Sequence, residues 1–128
     1  MITITSPDGV SEKAKRMSVI NGLFPEITSS SERPFITKKP VVFFSARLHG
    51  ADTPSSVMIE AFIELLMNDG DQQAGHLLTQ YVFVFIPMVN PDGVARGYNK
   101  LDALGQDLDL CYGEGTNRNL QPQIWAIK

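Results

Sequence analysis

His49 and Asp52 stand three residues apart in SARLHGADTPSS (45–56), directly after the apolar run VVFF. An imidazole and a carboxylate from one loop are two of the mixed ligands that a hydrolytic metal centre needs, provided a coordination position stays open for water. The same pair also fits a solvated loop, or an aspartate that complements the positive end of a helix starting just after it. Lys100, in GYNKLD (97–102), could present a cation to such a site and could as readily stand in solvent. Asp92 lies in Pro91-Asp92-Gly93, a strong turn signal that accounts for the residue without any chemistry. His76 has no partner near it in sequence and is assigned no role, while Arg96 and Arg118 stay open.

These residues need a frame to bring them together. ITIT (2–5) reads as an edge strand ending in the turn SPDG. SEKAKRMSVINGLF (11–24) is a short helix candidate stopped by Gly22, and the Ser- and Pro-rich stretch 25–40 reads as a surface loop. VVFFSA (41–46) is apolar without clear alternation, as expected for a strand buried on both faces in the middle of a parallel sheet. Thr53 and Pro54 form a helix entry, with the hydroxyl as cap and proline where its missing donor costs nothing. That helix should run to about Asn68, with Met58, Phe62, Leu65 and Leu66 as its apolar stripe, Glu60 and Glu64 opposite, and Gly70 as its stop. QQAGHLLTQ (72–80) looks helical, and YVFVFIP (81–87) is a second buried strand ended by Pro87. Strand, helix and strand in this order make a parallel crossover, and such sheets bind ligands outside the carboxyl ends of their strands. RLHGAD (47–52) and NPDG (90–93) both leave those ends, which strengthens the metal reading of His49 and Asp52.

Composition removes several functions. The chain has 128 residues, 43% apolar and 20% charged, enough for one domain with a core. A net charge of −3 with scattered cations gives no stripe for nucleic acid. Cys111 is the single cysteine, so no intrachain disulfide forms; it reads as a buried structural thiol in a reducing compartment. The apolar run 81–89 is too short to span a membrane, and the start of the chain reads as neither signal peptide nor anchor.

Taken together, ITITS, GLFPE, RPF, VVFFSARLHGADTPSS, FVFIPMVNPDGVARG, GQDLDLCY and PQIWAIK, in this order, resemble the zinc carboxypeptidase family, and within it the cytosolic carboxypeptidase branch. The resemblance implies an α/β fold, an α/β/α sandwich around a mixed sheet, truncated so that residues 1–128 make the N-terminal half of the catalytic domain. It implies zinc as cofactor, a cytoplasmic location, and removal of C-terminal residues, glutamates foremost, from protein tails such as those of tubulin. In that family the first zinc segment is His-x-x-Glu, which makes His49 and Asp52 the expected ligands, with the aspartate stem shorter by about 1.5 Å. Lys100 stands at the arginine that stabilises the oxyanion, keeping the charge and losing the planar fork.

Asp109 and Leu110 stand where the family's Asn and Arg grip the substrate's terminal carboxylate, so an acid now faces an acid and no bidentate pair can form. Asn117-Arg118 could replace that pair, but the shared Asp107-Leu108 and the spacing onward to PQI favour the first register. The family's third zinc ligand and its water-activating glutamate lie beyond the last matched segment. This stretch alone is therefore expected to be inactive, and, should the chain end at Lys128, to leave apolar surface uncovered. The alternative is a non-catalytic pseudoenzyme that serves as a protein-binding module.

Overall fold

The computed structural model describes residues 1–7, 38–113 and 115–128, so the helix expected over 11–24 and most of the loop expected over 25–40 lie outside the described residues. Strands β1 (Ile2–Ile4), β2 (Val41–Ser45) and β3 (Val82–Ile86) form a mixed sheet in the order β1-β3-β2. β1 runs antiparallel to β3, with Ile4 opposite Phe83, and β2 runs parallel to it, with Phe44 opposite Phe85. Helices α1 (Thr53–Leu66) and α2 (Gln72–Gln80) form the crossover between β2 and β3. A short α3 (Pro91–Ala95), a 3-10 helix (Leu108–Tyr112) and α4 (Pro122–Ile127) follow.

Of the described strands, β3 is central and β2, expected in the middle of the sheet, lies at an edge. Paired residues share a sheet face, so Ile4, Val42, Phe44, Phe83 and Phe85 point one way. That face packs under α1 and α2 with Ile59, Phe62, Leu66 and Leu77. Phe44 and Phe85 stack at 5.3 Å, and the Phe62 ring sits edge-on to Phe44, also at 5.3 Å. On the other face Val41 and Phe43 are 60% and 45% exposed. The strand is apolar on both sides, yet only one side is covered by the described helices. A second apolar cluster of Val89, Leu108 and Ile124, joined by Leu48 and Ile86, seats the 3-10 helix and α4 beside the strand ends.

Helix α1 starts where expected, but Asp52, not Thr53, is its N-cap, and no side chain caps its first amides; Pro54 does lie in the first turn. The stop differs as well. Asn68 Oδ1 accepts the Gly70 amide at 3.1 Å and Asn68 O accepts Asp71 N at 3.0 Å, so the turn is built on Asn68 and needs no special backbone at Gly70. The buried stripe is Ile59, Phe62, Ile63 and Leu66, an i, i+3, i+4, i+7 set, whereas Met58 is 72% and Leu65 43% exposed. Residues 57–67 are apolar nearly all round, so period alone admits either stripe. The aromatic cluster around Phe62 chooses between them.

Asp71 caps α2 by accepting the amides of Gln73 and Ala74 at 2.8 and 3.1 Å. Pro91-Asp92-Gly93, expected as a turn, is instead the first turn of α3, because Asn90 accepts the Gly93 amide at 2.9 Å and Pro91 opens the helix.

The stripe assignment predicts that Ile59→Ala costs about 2–5 kcal/mol of stability while Met58→Ala stays within about 0.5 kcal/mol, as read by denaturant unfolding. The reverse order, with Met58→Ala costing more than Ile59→Ala, would show that α1 packs in the other rotation.

Candidate metal centre

The loop that carries His49 and Asp52 begins as a continuation of the sheet, with Ala46 N donating to Ile86 O at 2.9 Å. Arg47 then takes φ 55°, a left-handed conformation that costs a non-glycine residue about 1–2 kcal/mol. It is held there from both sides: its amide donates to Ser55 Oγ at 3.1 Å, and its carbonyl accepts Asn90 N at 3.0 Å. Strain of this kind is retained where neighbours over-determine the backbone, and here it redirects the chain two residues before His49. At Gly50 a Cβ would collide with the Tyr98 carbonyl and crowd the backbone of Gly93, so only glycine allows the loop to lie this close to α3. Ala51 N donates to Asn99 O at 3.0 Å, and Asp52 N returns to His49 O at 3.1 Å, closing a tight turn between the two candidate ligands.

Lys100 comes from the other side. Gly97 at φ 69° ends α3, and Tyr98 N donates to Gly93 O at 2.9 Å. Asp102, 3% exposed, accepts the amides of Leu104 and Gln106 at 2.8 Å each, and Gly105 turns with φ 75°. This small hairpin pairs Leu101 with Asp107, which sets Lys100 beside Asp107. The 3-10 helix that follows carries Asp109, its first turn held by Asp109 N donating to Asp107 Oδ1 at 3.1 Å.

The four residues singled out from the sequence meet in one cluster. His49 Nδ1 lies 3.5 Å from Asp52 Oδ2, and His49 Nε2 lies 3.1 Å from Asp107 Oδ1 and 3.2 Å from Asp109 Oδ2. Lys100 Nζ closes the cluster with an ion pair to Asp107 Oδ2. The imidazole is 17% exposed and Asp107 13%, whereas Asp52, Asp109 and Lys100 are half-exposed. The hydrogen bond from Lys100 holds the Asp107 carboxyl below its ordinary range against the opposing effect of burial, with help from His49 and the Asp109 amide. The same bond raises the Lys100 ammonium. Both are ionised at neutral pH.

Asp107 is the member the sequence reading left without a role. It served only to fix the register of the following pair, although two acids at i and i+2 beside a metal candidate are themselves a signal. Leu110 is 82% exposed. Asn117 and Arg118 are engaged with α4: Asn117 N donates to Gln121 Oε1 at 3.1 Å, and the Arg118 guanidinium lies 5.0 Å over the Trp125 ring. His76 is exposed on α2, against Gln80. Cys111 is half-buried, and burial first, then Asp102 and Asp107, push its thiol up, away from reactivity.

Two donor sets share His49. One uses Nδ1 with Asp52. The other uses Nε2 with Asp107 and Asp109, whose ligand atoms lie within 4.8 Å of one another. Two ligands of one tetrahedral zinc, each at about 2.0–2.2 Å, stand about 3.4 Å apart, which the 3.5 Å from Nδ1 to Asp52 matches. The Asp107 oxygens already serve His49, the Asp109 amide and Lys100. A neutral imidazole that donates Nε2–H to Asp107 leaves its Nδ1 lone pair toward Asp52, the arrangement in which a carboxylate behind a histidine orients a metal ligand. The donor chemistry therefore fits half of a zinc site on the Nδ1 side.

A loop with a histidine and an acid at the carboxyl edge of a mixed sheet, backed by a carboxylate and a cation, offers the donor types that metal-assisted hydrolysis uses. The zinc carboxypeptidase family model matches residues 2–128, and the chain belongs to that family. Cytosolic carboxypeptidase-like protein 5 of Danio rerio is 35% identical over 128 residues, covering all of this chain and 14% of that protein; the Homo sapiens protein of the same name is 36% identical over 129 residues with the same coverage. Cytosolic carboxypeptidase 1 of Danio rerio is 36% identical over 81% of this chain and 9% of its own. The chain thus spans a small part of the length of these relatives. Among solved structures, a metallo-carboxypeptidase from Burkholderia cenocepacia superposes with TM-score 0.66 at 25% identity, over 70% of this chain and 24% of that one. One from Pseudomonas aeruginosa does so with TM-score 0.64 at 26% identity, over 69% and 23%. The fold is that of a metallocarboxypeptidase. No helix among the described residues is long and apolar enough to cross a membrane.

The Asp107 and Lys100 shifts fix a pH window. A carboxyl lowered in the folded chain stabilises it above the ordinary value of 3.8 and loses that contribution as pH falls through the lower folded value. A raised ammonium contributes below 10.5 and loses its contribution as pH rises through the higher folded value. In metal-free protein, carbon-detected titration should find Asp107 below the ordinary carboxylate value in the wild type and displaced upward in Lys100→Met. An unmoved Asp107 in that variant would mean that Lys100 is not its partner.

Proposed function

We propose that this stretch supplies the first half of the zinc site of a metallocarboxypeptidase domain that removes residues from the C-terminal ends of proteins in the cytoplasm. The single observation that carries the reading is the convergence of His49 Nδ1 and Asp52 Oδ2 at 3.5 Å, with Asp107 seated behind the same ring. When bound there, zinc would supply Lewis acidity and a water acidic enough to act near neutral pH. The chain's own residues do the rest that lies within this half. With the Nε2 proton hydrogen-bonded to Asp107, Nδ1 would be left free to act as the ligand. Lys100 offers the cation that would face a developing oxyanion, and it must loosen its pair with Asp107 to do so.

Glutamate-rich tails, tubulin's among them, are the substrates the family reading suggests. The charges of the described cluster do not themselves favour such tails, since Asp52, Asp107 and Asp109 outnumber Lys100 around His49. A second reading, a non-catalytic protein-binding module, draws support from Asp109 and the exposed Leu110 at the positions expected to grip a terminal carboxylate.

Calorimetric zinc titration of the chelator-stripped chain is expected to show one site, lost in His49→Ala and Asp52→Ala and weakened about 10–100-fold in Asp107→Asn. Asp52→Glu should bind at least as well as the wild type. No uptake, or uptake indifferent to His49, would remove the zinc reading. Loss on Asp109→Asn with Asp52→Ala unchanged would move the ion to the Nε2 side. For the full-length protein, glutamate release from a peptide ending in glutamates separates the enzyme from the binding module.

A further inference from the structure

We propose that Asn90 is the positioning residue of this site: its backbone N–H ties in the His49 loop, and its buried side-chain amide locks the Lys100 hairpin onto α3. Asn90 is 1% exposed and reaches three separate segments. Its backbone amide donates to Arg47 O at 3.0 Å, two residues before His49. Its side-chain Oδ1 accepts Gly93 N at 2.9 Å, and its Nδ2 donates to Leu101 O at 3.1 Å, the residue after Lys100 and the one bridged to Asp107.

Capping α3 does not require asparagine. A cap needs one acceptor, and serine, threonine or aspartate supplies it about as well. Only asparagine at this length offers an acceptor to Gly93 and a donor to Leu101 together. The requirement for the amide therefore comes from the hairpin and not from the helix. The surroundings leave no slack to absorb an error. A Cβ at Gly93 would press on the Asn90 amide and the Leu101 carbonyl, and one at Gly50 would strike Tyr98 and Gly93. The Asn90 side-chain amide thus lies against Gly93, whose backbone in turn lies against Gly50, and displacement of Leu101 would shift Asn99, which receives the Ala51 amide of the His49 loop.

The inference deepens the proposed function in that the site positioned is that one, yet it rests on contacts of the metal-free chain and can be tested there. Native-state hydrogen exchange reads the Ala51, Tyr98 and Asp102 amides, which donate to Asn99, Gly93 and Gln106, against amides of β3. Asn90→Ser keeps a cap and loses the Leu101 bond. Asp71→Ala, which removes the α2 cap, is the control for stability lost elsewhere. In Asn90→Ser, exchange at Ala51 and Asp102 is expected to quicken about tenfold relative to β3, the equivalent of one net hydrogen bond. In Asp71→Ala the ratio stays as in the wild type. Equal acceleration everywhere, or unchanged protection at Ala51 and Asp102, overturns the proposal.

Should Asn90→Ser fail to fold, Asn90→Asp, which keeps shape and acceptor and lacks the donor, takes its place with the same expectation. Failure of both makes Asn90 a residue of the whole fold and ends the positioning role. Where zinc binds, its affinity should drop about tenfold in Asn90→Ser and hold in Asp71→Ala. An absent zinc site leaves the exchange result standing, so the two readings fail separately.

Discussion

The parallel pairing of β2 with β3, from Val41 opposite Val82 to Ser45 opposite Ile86, sets the two strand exits level, and both the metal loop and the α3 cap grow from those exits. The pairing does not end with the strands. Ala46 donates to Ile86, Val89 returns to Ala46, and Asn90 to Arg47, so the ladder is extended until the chains diverge around the site. Slipping this register by one residue would move Phe44 to the opposite face from Phe85 and dissolve the stacked aromatic core. Site geometry is therefore enforced by a packing penalty far larger than any contact within the site.

Electrostatics explain why the cluster has the shape it has. Around His49 the carboxylates of Asp52, Asp107 and Asp109 face one ammonium, Lys100, and these four groups sum to −2 from three negative groups and one positive. The least exposed acid, Asp107, lies against both the cation and Nε2 of His49. The two others stay half-exposed, where water screens them. A dication between His49 and Asp52 would bring that sum to zero, so the loaded site repels an acidic chain end far less than the bare one does.

Much of the frame was legible because its signals were redundant. The strand at 81–87 and the helix from Thr53 were marked by composition, length and turn residues at once, and the shared edge followed from the crossover. Errors fell where one signal allowed two answers. Apolar residues on all sides of α1 permitted a stripe through Met58, and tertiary contact with Phe44 and Phe85 selected Ile59 instead. Two-sided apolarity in β2 suggested the sheet centre, although among the described residues α1 and α2 cover only one side of that strand. Pro91-Asp92-Gly93 satisfied a turn and a helix start equally, and the neighbouring Asn90 decided for the helix. The Asp107-x-Asp109 pair was a local signal, but the contacts that give Asp107 its place reach residues 58 and 7 positions away.

Asp52 poses the sharpest test of reasoning from side-chain type. Its stem is about 1.5 Å shorter than the glutamate of the family segment, a difference that would matter in full only if the backbone were fixed. The backbone is not a constant here, since Gly50 permits an approach to Tyr98 and Gly93 that any side chain would block. With that approach, the turn closed by Asp52 N on His49 O and by Thr53 N on Ala51 O folds the chain back between the two ligands. The carboxylate then stands at a separation from Nδ1 suited to a shared ion, without a longer stem. Reach in this loop is therefore set by Gly50 and the turn as much as by the length of the acid side chain.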